Sequence, residues 1–195
     1  MSQPIADTAL GKRNALPDDL TFLLSRYPRS DWQNHKNLGD MAQFWLKRHD
    51  MFRDLGGQLV TAVSDYREER ANAQAFAAFF VPRLRFFLQQ LNGHHHIEDT
   101  HYFPVFAAAE KKLSRGFDLL DADHHVIHDA LEANAAAANR MLQTLSNQSV
   151  DPRSATDDYA NNADTLIALL TRHLHDEEDL IIPLILDRTE AALGI

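Results

Sequence analysis

The chain is 195 residues long, has a formal net charge of −9, and holds 11 histidines but no cysteine. Without cysteine there are no thiolate zinc sites, iron–sulfur clusters, disulfides or cysteine nucleophiles, and the acidic balance argues against nucleic acid and anionic membrane surfaces as partners. The longest apolar runs, such as 73–82, fall short of the about 20 residues that cross a bilayer, and residues 1–20 show no basic segment leading into an apolar stretch, so a cytoplasmic protein with no membrane partner is expected.

Seven glycines and seven prolines among many alanines and leucines point to an all-α chain. Residues 1–37 contain Pro4, Pro17 and Pro28 and no long periodic run. They read as an N-terminal extension in which Leu20, Phe22, Leu23 and Leu24 suit one short helix, with Tyr27 and Trp32 packing it on the main body. Four long helical patterns occupy 38–190. The first, about Leu38 to Arg70, aligns Trp45, His49, Phe52, Gly56, Leu59 and Val63 at spacings of three and four. The second, about Asn72 to Ala107, aligns Phe80, Leu84, Phe87, Leu91, His94, Glu98, His101 and Val105. The third, about Phe117 to Leu145, aligns Leu120, His124, Ile127, His128, Leu131, Ala135, Ala138 and Leu142. The fourth, from Asp151–Pro152 to about Ala192, aligns Tyr159, Ala163, Leu166, Leu170, His173, Glu177, Leu180 and Leu184. Short connections favour antiparallel neighbours, hence an up-down-up-down four-helix bundle. Pro82, Pro104 and Pro183 should each kink or end a helix.

The second and fourth patterns share a phrase. His94-His95-His96-Ile97-Glu98-Asp99 leads to Pro104, and His173-Leu174-His175-Asp176-Glu177-Glu178 leads to Pro183 at the same distance. The offset of 79 residues also relates Leu91 to Leu170, Phe87 to Leu166, His49 to His128 and Phe52 to Leu131. One offset serving two helix pairs indicates an internal duplication, two helical hairpins packed face to face.

Residues four apart share a helix face. His94 with Glu98, His124 with His128 and His173 with Glu177 therefore join His49 in one core. Buried carboxylates and imidazoles without partners are costly, and metal supplies the partner. Seven ligands exceed a four-coordinate zinc site and suit two ions with about six positions each. Five histidines, two bridging carboxylates and a bridging oxide or hydroxide leave one position open. Mixed imidazole and carboxylate ligation suits iron, with manganese or zinc as substitutes.

As a set, a lone histidine (His49), His-x-x-x-Glu (His94, Glu98), His-x-x-x-His (His124, His128) and His-x-x-x-Glu (His173, Glu177) resembles the hemerythrin-like, HHE cation-binding family over about residues 38–190. The resemblance implies a four-helix bundle around two iron ions, ferrous or ferric, bridged by oxide or hydroxide. Some members take the last carboxylate five residues after the histidine, here Glu178, while the repeat favours Glu177. His125 replaces His124 if the third helix is rotated.

The other histidines carry less. His96 and His175 point away from the ligand face. His95 and His125 sit at its flank as supporting or surface groups, and His35 lies outside the repeat. His101 is in phase with Glu98 and is read as a buried core histidine, with a relay or metal-entry role as the alternative. The offset pairs His124 with Trp45, so the ion at His49 and His94 is one ligand short. Trp45 would wall that opening, with Leu170 as a neighbour. The function expected is binding or sensing of O2, NO or a small anion, rather than catalysis. A di-iron oxidase or peroxidase-like enzyme and iron storage or delivery are the alternatives. Glu98-Asp99-Thr100-His101 gives one Glu-x-x-His motif of the ferritin-like oxidases, but no second follows Glu177.

Overall fold

The computed structural model describes residues 8–147 and 151–195, so Pro4 lies outside the described residues. Every regular element among them is helical: α1 (Phe22–Arg26), α2 (Asp40–Arg67), α3 (Ala73–Ile97), α4 (Phe103–Ala109), α5 (Ser114–Leu145), α6 (Arg153–Arg188) and α7 (Glu190–Leu193). Short 3-10 turns cover Arg29–Asn34 and Lys111–Leu113, and a π-helical turn, Glu98–Tyr102, joins α3 to α4.

The chain forms two compact units. One takes the chain up to Asp50, His94–His125 and Thr171–Ile195, and the other takes Met51–Gly93 and Val126–Leu170. In the second, Phe52, Phe80, Phe87, Leu91, Ile127 and Leu166 are buried, as their three- and four-residue spacing dictates. Phe80 stands edge-on to Tyr159, with ring centroids 5.1 Å apart. The Ile167 side chain of α6 seats against Gly56 of α2, where a Cβ would lie 2.5 Å from its Cδ1.

In the first unit, Leu16, Leu20, Leu23 and Trp32 join one apolar cluster with Trp45, Phe106, Phe117 and Ile181. The Tyr27 hydroxyl donates to Asp187 at 3.0 Å. Cover from the extension leaves residues 176–186 of α6 buried on every side, which suits the all-round apolar run Leu180–Leu186. Glu190 accepts from the Ala42 amide at 2.8 Å, satisfying one free donor at the start of α2. That carboxylate occupies the space a Cβ at Gly39 would need.

The helices continue through Pro82 and Pro183, and Pro104 falls in the first turn of α4. Pro104 has no amide to offer Thr100, and its ring would crowd that carbonyl. The chain answers with the wider turn, in which the Phe103 amide donates to the Glu98 carbonyl five residues back. The extra residue rotates the helix beyond it. Phe103 and Phe106 are buried, while His101 is exposed and Val105 only partly covered, against their expected inward phase.

Candidate metal centre

All the residues of the centre lie in the first unit. α2 contributes Trp45 and His49, α3 His94 and His95, the π turn Glu98 and Asp99, α5 Asp123 and His124, and α6 His173, Glu177 and Glu178. They fall into two adjoining sets. In the first, His49, His94, Glu98 and Glu177 are all buried, each with a ligand atom within 4.8 Å of the others. In the second, His95, His124 and His173 are buried and meet the same condition.

The imidazole nitrogens converge. His49 Nε2 lies 3.1 Å from His94 Nε2, and His124 Nε2 lies 3.0 Å from His173 Nε2. In three of these rings the opposite nitrogen faces a carboxylate. His49 Nδ1 donates to Glu178 at 2.9 Å, His124 Nδ1 to Asp99 at 2.7 Å, and His173 Nδ1 to Asp123 at 3.4 Å. A carboxylate only accepts, so the ring proton sits on Nδ1, and in the neutral ring Nε2 presents a lone pair. Two lone pairs 3 Å apart repel unless a proton or a metal cation lies between them. Carboxylate-anchored rings with bare Nε2 atoms are the form in which histidine binds metal.

Each of the two central carboxylates reaches both sets. Glu98 Oε1 is 2.9 Å from His94 Nε2, and its Oε2 is 3.6 Å from His124 Nε2. Glu177 Oε1 is 3.4 Å from His49 Nε2, and its Oε2 is 3.3 Å from His173 Nε2. Trp45 Nε1–H donates to Glu177 Oε1. Both oxygens of Glu98, Glu177 Oε2 and His95 Nε2 are buried and make no hydrogen bond. Such orphaned atoms are rare in proteins, and here they surround one small region. The donors present therefore fit metal cations at these two adjoining sets.

The electrostatics agree. Burial, against the pull of Glu177, pushes His94 down to about 3, and burial beside His124 and His173 holds His95 well below its ordinary range. Both rings are held neutral. Burial and the neighbouring Glu177 push the Glu98 carboxyl well up. Burial would raise Glu177 too, but His49 and His173 outweigh it and hold it well down. Burial opposes charge on His173, yet Asp123 and Glu177 bring it up to about 9. The pocket thus balances carboxylates with protons that a cation would displace.

The structure brings together His49, His94, Glu98, His124, His173 and Glu177. It does not include His128, whose side chain is 55% exposed and lies 3.3 Å from Glu132. The buried seam of α5 runs Leu120, His124, Ile127, Leu131, so the step after His124 is three residues and His128 falls one position off it. His95 enters instead, stacked on His124 with centroids 4.0 Å apart. Its signal was the offset: the matching position is Leu174, a buried apolar residue. Glu178 anchors His49, and Asp99, its partner in the repeat, anchors His124. His125, His96 and His175 are exposed. So is His101, which turns its ring edge-on to Tyr102 and lies outside both sets, removing the Glu-x-x-His pair. Trp45 packs against Tyr102 at 4.9 Å and Phe106 at 5.9 Å. A further group, His175, Asp176 and Asp179, already has its charge matched by Arg13, Arg172 and Arg29.

The family model described as the hemerythrin HHE cation binding domain matches residues 40–185. No curated protein and no solved structure matches the chain. No helix among the described residues is long and apolar enough to cross a membrane.

Proposed function

The chain belongs to the hemerythrin HHE cation-binding family, and from that premise we propose that it holds two iron ions and binds or senses O2, NO or a small anion. His49 and His94 would hold one ion, His95, His124 and His173 the other, and Glu98 and Glu177 would serve both. The observation that carries this reading is the placement of those two carboxylates, each with one oxygen toward a histidine of either set. Iron held there, with an oxide or hydroxide, would supply redox chemistry and a place for a small ligand, and manganese or zinc could take its place.

The histidine count puts that opening beside His49 and His94. Trp45 covers this side with Tyr102 and Phe106 and fixes Glu177 through its indole N–H. An apolar cover slows water and proton entry, which favours reversible binding over oxidation. The same reading takes 38–190 as the metal-binding domain, with α2, α3, α5 and α6 as an up-down-up-down bundle and 1–37 as its extension.

The test is anaerobic loading with ferrous ion, metal analysis, and a visible spectrum before and after air. Two irons per chain and a band that disappears on removing O2 are expected. One iron or fewer per chain would end the two-ion reading, and rapid irreversible oxidation would move the assignment to a di-iron oxidase.

A further inference from the structure

The segment before α2 lies outside the residues matched by the family model, yet two of its arginines reach the carboxylates that anchor the histidines. Arg29 Nη1 donates to Glu178 Oε2 at 2.8 Å, while Glu178 Oε1 accepts from His49 Nδ1. On the other side, Arg13 forks onto both oxygens of Asp123, the acceptor for His173 Nδ1. Arg13 is anchored in turn by Asp176 at 2.7 Å and by the Thr8 carbonyl at 2.9 Å. Arg29 is held by Asp179 at 2.7 Å and the His175 carbonyl at 2.9 Å, and stacks on Trp32 at 4.7 Å. The Arg13 side chain is 2% exposed and that of Arg29 35%.

We infer that residues 8–37 form a clamp on the metal centre, with Arg29 positioning His49 through Glu178 and Arg13 positioning His173 through Asp123. The inference rests on the reading of the two sets as a metal centre. A carboxylate behind a metal-binding imidazole sets the ring's tautomer and orientation and raises its basicity. It can do so only if it stays ionised and does not rotate, and in a buried place that requires a counter-charge. The guanidinium provides both, because its fork fixes the carboxylate plane as a lysine ammonium cannot. One arginine serves each ion, so the clamp acts on both. Coupling is reciprocal: whatever docks the segment strengthens metal binding, and metal binding strengthens docking by the same factor. Anything that lifts 8–37 from the protein weakens both ions.

The experiment uses the full chain with Co2+ as probe, read by chelator competition and by the visible Co2+ bands, in the parent, Arg29→Gln and Arg29→Lys. Amide exchange of residues 8–37 is followed in the parent with and without Co2+. Arg29→Gln should weaken one of the two ions about 10- to 100-fold and shift its band, with Arg29→Lys in between. Co2+ should slow exchange across 8–37. Arg29 is part-exposed and its Gln variant is expected to fold. Arg13→Lys, which keeps the charge in the buried place, tests the other side. A strap with only a structural role would lower the melting temperature of stripped and loaded protein alike and leave both affinities at the parent value. That outcome, or exchange in 8–37 indifferent to Co2+, overturns the clamp while the metal centre stands. A parent that binds no Co2+ overturns both.

Discussion

The two compact units solve opposite problems. In the one made of Met51–Gly93 and Val126–Leu170, the buried side chains among the described residues are apolar apart from Asn134, Thr156 and the Tyr159 hydroxyl. In the other, the interior holds Arg13, Asp123 and Asp176 as well as the histidines and glutamates of the centre. Burying a Phe such as Phe87 contributes about 1.5–3 kcal/mol of transfer free energy, so the first kind of core drives folding. A core of buried ions gives back much of its Coulomb gain as desolvation, so the second kind needs an external partner. The chemistry is thus confined to one unit, where the charged centre sits beside an apolar cluster of its own.

The largest break in this contrast should come from the shared carboxylates. Glu98→Ala or Glu177→Ala removes a donor from both ions, so affinity for both should fall by more than the about 10- to 100-fold cost of losing an anchoring partner. Metal titration would show the two ions leaving together, and loss of one ion with the other unaffected would contradict bridging. Next, Phe87→Ala should cost about 3–5 kcal/mol of stability and leave two metals per chain. Denaturant unfolding paired with metal analysis checks both halves of that statement.

His95→Leu sharpens the contrast, because its two effects have opposite signs. It copies the residue found at Leu174 and removes an unpaired buried nitrogen, whose burial costs about 1–3 kcal/mol. Stripped protein should therefore melt higher than the parent, while one ion binds about 10- to 100-fold more weakly. His128→Leu should leave both ions unchanged. Melting curves with and without ferrous ion separate the two variants. The smallest effect belongs to Trp45→Phe, which keeps an aromatic ring, though a smaller one, and loses the hydrogen bond to Glu177. Two irons should remain, with azide affinity or autoxidation changed by about tenfold or less. Parent values for both would place the opening elsewhere.

Much of the centre is legible in the residues alone. Spacings of three and four put His49, His94, Glu98, His124, His173 and Glu177 on inner faces because long amphipathic helices leave few other choices. His128 misleads because four-residue arithmetic and the 79-residue offset both favour it, whereas the seam of α5 steps by three after His124. His95 is hidden for the converse reason. Adjacent residues on a helix point about 100° apart, and only a face shared by two neighbouring sets needs both His94 and His95. The anchoring roles of Arg13 and Arg29 depend on where an aperiodic segment returns to the protein, and no local period encodes that.

The π turn at Glu98–Tyr102 separates two registers that one continuous helix would have to share. Upstream of it the ligands keep their phase, and downstream Phe103 and Phe106 keep theirs. Drift in sequence on one side therefore need not be answered on the other. The turn is also the place where a single-residue deletion has a predictable meaning. Removing Thr100 would put Phe103 four residues after Glu98, keep Phe103 and Phe106 in their inward phase, and set the Pro104 ring against the Asp99 carbonyl, at a cost of about 3 kcal/mol.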